Sequence, residues 1–154
     1  MKVLVDTSVW SLALRRKETS AVAEKLADLI RASMAVLIGP VRQELLSGIS
    51  DEKTFLRLKS KLEYFDNPPI TALDYETAAR FYNICRSHGI QGSHIDFLIC
   101  AVAANNELLI FTTDQDFERY QAHHKYMSLH SSDYWDLLLP RQAFQARLSA
   151  LFLP

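Results

Sequence analysis

The stretch Lys2-Val3-Leu4-Val5-Asp6-Thr7-Ser8 opens the chain with a short apolar run that ends at an acid and two hydroxyl side chains. A continuous apolar run of this length is typical of a strand buried on both faces of a parallel sheet. Asp6, Thr7 and Ser8 can each cap a helix, and an apolar helical segment follows over residues 9–13. Because a carboxylate at the end of a buried strand is costly without a partner, Asp6 is either a helix cap or part of a polar site.

Outward from this strand, short apolar runs alternate with segments of helical period. Strands are predicted at residues 35–38, 70–73, 108–111 and 126–129, and helices at 19–33, 40–46, 51–65, 74–88, 93–106 and 116–124. Strands that alternate with helices predict an α/β protein with a mainly parallel sheet and helices on both faces.

Composition limits the class of protein. The 154 residues fit one domain, and 49% apolar with 23% charged residues is typical of a globular chain. The longest apolar stretch, 97–104, is well short of a membrane span, and an opening that carries Asp6 does not predict a cleaved signal peptide. Cys85 and Cys100 lie in apolar helical patterns without C-x-x-C spacing, so we expect buried thiols in a cytoplasmic protein.

Four acids fall where the predicted topology places a ligand site, beyond the carboxyl ends of the strands. They are Asp6, Glu44, Asp96 and Asp114. Asp6 directly follows the first predicted strand, Asp114 lies three residues after the end of the strand 108–111, and Glu44 lies one turn into the helix after the strand 35–38. Asp96 begins a helix that runs the other way, so it reaches this edge only if the glycine-containing loop 89–93 brings it there.

Each acid also has a structural interpretation that the sequence leaves open. Asp6 is a possible helix cap, and Ser93-x-x-Asp96 matches a capping box. Glu44 lies on an amphipathic helix where solvent exposure is the default, and Asp114 and Asp116 suit a turn and a cap before Phe117.

If the acids converge, they need a counter-charge, because several carboxylates in one cleft cannot all stay ionised. All-oxygen ligands favour Mg²⁺ or Mn²⁺ over zinc. The five histidines show no zinc-site spacing, and the four glycines form no phosphate-binding loop.

These motifs, in this order, resemble the PIN-domain ribonucleases, most of all the VapC-type toxins of bacterial toxin–antitoxin pairs. The resemblance is carried by Val5-Asp6-Thr7-Ser8, Arg42-Gln-Glu44-Leu-Leu-Ser-Gly48, Asp96-Phe-Leu-Ile-Cys-Ala101 and Phe111-Thr-Thr-Asp-Gln-Asp-Phe117. It extends from residue 2 to about residue 130. It implies a three-layer α/β/α fold, Mg²⁺-dependent endoribonuclease activity, inhibition by a cognate antitoxin protein, and homodimers.

The resemblance also implies roles for single residues. Catalytic and metal-holding positions match Asp6, Glu44, Asp96 and Asp114, with Asp116 as a further metal ligand and Thr7 and Thr112 as supporting hydroxyls. Asp6 and Asp96 are the expected direct ligands. Phe97 and Cys100 depart from the family pattern without removing an acid. We expect residues 1–136 to form the nuclease domain and residues 137–154 an extension that packs on it or lies at a dimer interface.

Contacts to RNA phosphates are predicted for Arg15, Arg16, Lys17 and Arg42, although a solvated helix end explains the first three equally well. Apolar side chains of the first helices are either core or an antitoxin groove: Trp10, Leu12, Leu14, Phe55 and Leu58. The alternatives are a nuclease for DNA and a catalytically silent PIN-like module that binds RNA or protein. A haloacid-type phosphatase is disfavoured, because Ser8 stands where that class needs a second aspartate.

Overall fold

The computed structural model describes residues 2–15 and 20–122, which form three short strands and seven helices. In chain order the elements are β1 (Val3–Val5), α1 (Thr7–Arg15), α2 (Ala21–Arg31), β2 (Ala35–Val36), α3 (Gly39–Leu46), α4 (Glu52–Leu62), α5 (Ala72–Ser87), α6 (His94–Asn105), β3 (Leu109–Phe111) and α7 (Asp116–Ala122). The predicted helices are present, the last of them seen as far as Ala122.

The opening strand is the centre of the sheet. The strand order is β2-β1-β3, and both pairings are parallel, with Val3 opposite Ala35 on one side and Leu109 on the other. All three residues of β1 are fully buried, which explains its uninterrupted apolar sequence. The result is the predicted three-layer α/β/α arrangement, mostly helical, around a parallel sheet.

The second strand is shorter than its apolar run. Pairing ends at Val36, although the run continues to Ile38. The outer edge of β2 makes one isolated parallel bridge to Asp66, whose carbonyl accepts a hydrogen bond from the backbone of Leu37. Leu37 and Ile38 are nevertheless fully buried, so their apolar character reflects burial in the core.

The predicted strand at residues 70–73 is wrong. Helix α5 already begins at Ala72, because Thr71 and Asp74 form a capping box at its start. The side chain of Leu73 is 60% exposed and so gains nothing from the sheet. The helix predicted from residue 74 therefore starts two residues earlier, with Thr71 as its cap and Asp74 as the partner of Thr71 inside the helix.

Asp74 also connects α5 to the end of α6. Its carboxylate is buried and accepts hydrogen bonds from the backbone and hydroxyl of Thr71, both 2.7 Å, and from the side-chain amide of Asn105, 2.9 Å. Burial raises the pKa of Asp74, but these hydrogen bonds outweigh it and hold the pKa below its usual value. The helix that carries Asp96 at one end is therefore fastened to α5 at the other.

The structure tests the predictions for the cysteines and for membrane spans, but not those for the C-terminal part of the chain. Cys85 and Cys100 are buried free thiols, as predicted. In the described segments no helix is long and apolar enough to cross a membrane. The predicted strand 126–129, the domain boundary at residue 136 and the extension 137–154 lie outside the described residues.

Candidate functional site

Asp6 is both a helix cap and the centre of a polar cluster. Its side chain is only 7% exposed. Its Oδ1 accepts a hydrogen bond from the Thr7 amide, 2.7 Å, and its Oδ2 accepts from the hydroxyls of Ser8, 2.6 Å, and Thr112, 2.9 Å. The Thr112 bond joins two residues 106 positions apart, at the carboxyl ends of β1 and β3. The capping interpretation is thus correct, but it accounts for only part of the contacts of Asp6.

Thr7 connects this cluster to α3. Its hydroxyl donates a hydrogen bond to Oε2 of Glu44, while its backbone amide donates to Asp6. Glu44 is exposed, so it lies at the surface of the cluster. Two of the predicted acids therefore contact the same residue.

The segment after β3 continues the network. The Thr112 hydroxyl accepts a hydrogen bond from the backbone of Asp114, 3.0 Å, and Oδ1 of Asp114 accepts one from the backbone of Asp116, 2.9 Å. Asp116 also makes an exposed ion pair with Arg119, 3.1 Å. The predicted turn and helix start are present, and they place both acids beside the Asp6 cluster.

Asp96 likewise combines a capping role with a place near the other acids. The predicted capping box exists: the Asp96 amide donates to Ser93 Oγ, 3.0 Å, and the Ser93 amide donates to Asp96 Oδ2, 3.1 Å. The same Oδ2 accepts a hydrogen bond from the hydroxyl of Tyr120, 3.1 Å. Asp96 thus contacts α7, the helix that Asp116 begins.

Two buried groups show that the acids share one neighbourhood. Burial raises the pKa of Cys100 well above its usual value, and the charges of Asp96 and Asp6 raise it further. Burial also raises the pKa of Tyr120, together with the charge and hydrogen bond of Asp96 and the charges of Asp116 and Asp114. Asp96 acts on both groups, and so it lies within electrostatic range of one residue near Asp6 and of another near Asp114 and Asp116.

The donor set suits a hard divalent cation, but the side chains do not form a closed metal site. Within residues 2–15 and 20–122, no three Asp, Glu, His or Cys side chains are grouped closely enough to hold an ion. One oxygen each of Glu44, Asp96 and Asp114 accepts no hydrogen bond from any described residue. These oxygens provide the ligand chemistry expected for Mg²⁺ or Mn²⁺, and binding would draw the carboxylates together.

Of the four residues predicted to contact RNA phosphates, the structure describes the side chain of Arg42 alone. Arg42 is half-buried, and its guanidinium donates a hydrogen bond to the carbonyl of Leu62, 2.6 Å. The side chain of Arg15, and all of Arg16 and Lys17, lie outside the described part of the chain.

Two residues that contact the acids were missed at the level of sequence. Ser8 was not among the predicted site residues, although its hydroxyl donates a hydrogen bond to Asp6 and accepts one from the backbone of Thr113, 3.1 Å, and so connects the ends of β1 and β3. Tyr120 had one available signal, its position four residues after Asp116, which places both on one face of a helix.

Several solved structures share this fold. FitAcB from Neisseria gonorrhoeae is 22% identical, with a TM-score of 0.68 over 84% of this chain and 96% of that chain. A structure of FitAB bound to an IR36 DNA fragment is 20% identical, with a TM-score of 0.68 over 83% of this chain and 93% of that chain. VapBC2 from Rickettsia felis, bound to a DNA fragment from its promoter, is 16% identical, with a TM-score of 0.68 over 84% of this chain and 98% of that chain.

At these identities the likeness establishes the fold, and a family model supplies the assignment. The model of the PIN domain matches residues 3–122, which include every acid of the site. The resemblance noted in the sequence is therefore confirmed, and the chain belongs to the PIN domain family.

Proposed function

We propose that this protein is a Mg²⁺- or Mn²⁺-dependent endoribonuclease, the toxin of a toxin–antitoxin pair, which hydrolyses RNA phosphodiester bonds. Its PIN family membership supports a nuclease. The observation that carries the proposal is Asp6: its buried carboxylate lies at the carboxyl edge of the sheet with other acids nearby, and it makes no ion pair with a described Lys or Arg. A buried carboxylate among like charges favours a bound cation.

In this proposal Asp6 and Asp96 would hold the ion directly, and Glu44, Asp114 and Asp116 would hold it through water. Such an ion would lower the pKa of a bound water and would offset the repulsion between the carboxylates and the phosphate. The protein's own contribution is to fix the acids. The Thr7 amide and the Ser8 and Thr112 hydroxyls restrict the carboxylate of Asp6, and the Thr7 hydroxyl restricts Glu44. Little reorganisation of these two acids is then needed during reaction.

An aromatic surface beside Asp96 supports a single-stranded substrate. His94 is exposed and stacks on Tyr82, with ring centres 5.1 Å apart at an angle of 24°. The guanidinium of Arg86 lies 6.0 Å from the Tyr82 ring centre and donates a hydrogen bond to its hydroxyl. Unpaired bases stack on such rings, and phosphates pair with arginine, so we propose that His94 and Arg86 contact RNA next to the cleavage point. Since Arg42 already donates to a carbonyl, it is the weaker candidate.

The partners proposed are a cognate antitoxin and a second copy of the chain. FitAB and VapBC2 are complexes, and this supports an antitoxin partner for a chain of the same fold. Trp10 belongs to the core, where it packs edge-on against Phe65, so it is removed from the proposed antitoxin groove. The other predicted groove residues are half-buried: Leu12, Leu14, Phe55 and Leu58. We place the protein in the cytoplasm, where its RNA substrate is found.

The test is cleavage of matched single-stranded RNA and DNA by the purified protein in Mg²⁺, Mn²⁺ or EDTA. We expect metal-dependent cleavage of RNA only, and a loss of more than about 100-fold in Asp6→Asn and Asp96→Asn, because outer-shell partners alone cost about 10–100-fold. The control is Glu63→Gln, an exposed acid that is not among the proposed ligands.

Three outcomes would contradict parts of the proposal. Wild-type rates in either Asn variant refute the assignment of that acid, and equal cleavage of DNA refutes the specificity for RNA. Failure to cleave either polymer or to bind Mn²⁺ by calorimetry favours the silent binding module.

A further inference from the structure

Tyr120 is a fully buried tyrosine whose hydroxyl has a candidate metal ligand as its acceptor. The ring packs against Phe97, with centres 4.8 Å apart, and against Phe117, 5.6 Å apart. The hydroxyl donates to Oδ2 of Asp96, 3.1 Å. A phenylalanine would fill the same space without the cost of burying a hydroxyl, so the packing alone does not account for a tyrosine here.

Gly92 provides the room for this hydroxyl. A Cβ at position 92 would lie 2.4 Å from the Tyr120 hydroxyl oxygen, 2.7 Å from Cζ of the same ring and 2.9 Å from the Phe97 ring. Such distances are below van der Waals contact, and any side chain at this position would displace the ring or the loop. Gly92 belongs to the loop 89–93 that precedes Asp96, and its lack of a side chain lets the phenol approach that acid.

The hydrogen bond leaves one carboxylate oxygen of Asp96 available. Oδ2 accepts from both the Ser93 amide and Tyr120, whereas Oδ1 accepts from no residue in the described segments. Holding one oxygen at two points restricts rotation of the carboxylate and so fixes the direction of the other. Tyr120 also lies four residues after Asp116, on the helix that follows Thr112 and Asp114. The contact therefore joins Asp96 to the side of the cluster formed after β3.

We propose that Tyr120 is a positioning residue, which orients the Asp96 carboxylate for metal binding through its hydroxyl, with Gly92 as the position that admits it. This inference rests on the proposed function, since it assigns a supporting residue to the same metal site. Partners of this kind orient ligands and commonly change metal affinity or activity by about 10–100-fold when they are removed.

The test is Tyr120→Phe, which keeps the ring and removes the hydroxyl. We expect Mn²⁺ affinity, measured by calorimetry, to fall about 10-fold or more, and kcat for RNA to fall similarly while KM is little changed. The matched control is Tyr82→Phe: Tyr82 also packs on Phe97, but its hydroxyl bonds the exposed Arg86. That variant is a control for metal binding only and should bind Mn²⁺ like the wild type. If Tyr120 had a merely structural role, Tyr120→Phe would also leave the Mn²⁺ affinity unchanged.

The outcomes separate this inference from the proposed function. Wild-type protein that neither binds Mn²⁺ nor cleaves RNA refutes the proposed function and this inference with it. Metal-dependent wild-type cleavage together with an unaffected Tyr120→Phe refutes only the role of Tyr120. In an Asp96→Asn background, Tyr120→Phe should cause no further loss of Mn²⁺ affinity, and an additive loss would show that it acts elsewhere. If Tyr120→Phe does not fold, Gly92→Ala, which displaces the hydroxyl, should reproduce the loss of affinity, and wild-type affinity in it would be equally decisive against the proposal.

Discussion

Replacing Gly92 by alanine should destabilise the protein through contact with two buried aromatic side chains. The added methyl group would lie 2.4 Å from the hydroxyl oxygen of Tyr120 and 2.9 Å from the ring of Phe97. Neither ring can move away without disturbing its neighbours, because Tyr120 and Phe97 are both buried and pack on each other. The loop, the ring or both must therefore move.

The expected magnitude follows from two opposing effects. Gly92 does not have a positive φ, so alanine should gain about 0.4–1 kcal/mol from a less flexible unfolded chain. Overpacking of a filled core costs about 1–3 kcal/mol, and so the net loss in the free energy of unfolding should be about 1–2 kcal/mol. For a chain of this length, that loss lowers Tm by about 2–8 °C.

The assay is urea and thermal unfolding followed by circular dichroism. The control is Gly39→Ala, where nothing lies within 4 Å of the added Cβ, and the change should stay within about 1 kcal/mol. Replacing the ring by a smaller side chain in Tyr120→Leu should partly relieve the clash. A double-mutant cycle should therefore show a coupling of about 1 kcal/mol or more in the free energy of unfolding between positions 92 and 120. Gly92→Ala protein as stable as the wild type, with no coupling, would refute the packing described above.

Three further predictions concern stability, its dependence on pH, and RNA binding. Asn105→Ala removes one of the hydrogen bonds to the buried Asp74 and should lower the free energy of unfolding by about 1–2 kcal/mol in urea denaturation. The pKa of Asp74 lies below its usual value, so its contribution to stability is complete above the unfolded-state pKa of about 4 and is lost as the pH falls through the folded-state pKa. The Asp74→Asn variant should therefore lose less stability than the wild type on acidification. Parallel plots of the free energy of unfolding against pH for the two proteins would contradict this. His94→Ala, in an inactive Asp6→Asn background, should weaken binding of a single-stranded oligoribonucleotide by about 5-fold or more in fluorescence anisotropy, because stacking contributes about 1–3 kcal/mol per base. Tyr64→Ala, which removes an aromatic side chain that is 86% exposed, should have no such effect, and equal losses would argue against a specific surface at His94.

Sequence reasoning succeeded where the signal was local. The apolar run of β1, the apolar length of α6 and the Ser93–Asp96 capping box each reflect interactions within a few residues, and each is present. It failed at residues 70–73, where apolar character suggested a strand. There the capping pair Thr71 and Asp74 starts a helix instead, because the amide and hydroxyl of Thr71 both donate hydrogen bonds to the Asp74 carboxylate and no strand among the described residues pairs with this segment.

Asp96 and Arg42 also show the difference between local contacts, which the sequence predicts, and long-range contacts, which it does not. The sequence left Asp96 open as a cap or a site residue, and the structure shows the cap: one carboxylate oxygen forms it, and the other accepts no hydrogen bond within residues 2–15 and 20–122. No local pattern could have shown that Arg42 donates to the carbonyl of Leu62, twenty residues away, which weakens it as a phosphate contact. Such a bond depends on how α3 and α4 pack.

By itself, the sequence determined the helices, the three strands of the buried parallel sheet and the presence of acids after its strands, apart from the false strand at residues 70–73, since periodicity and capping act over one or two turns. The tertiary structure alone decided that Thr112 binds Asp6 across 106 residues, that Tyr120 reaches Asp96 and that Gly92 leaves room for it. The physical reason is that these contacts form only when distant segments pack together, and their distances depend on the shape of the whole core.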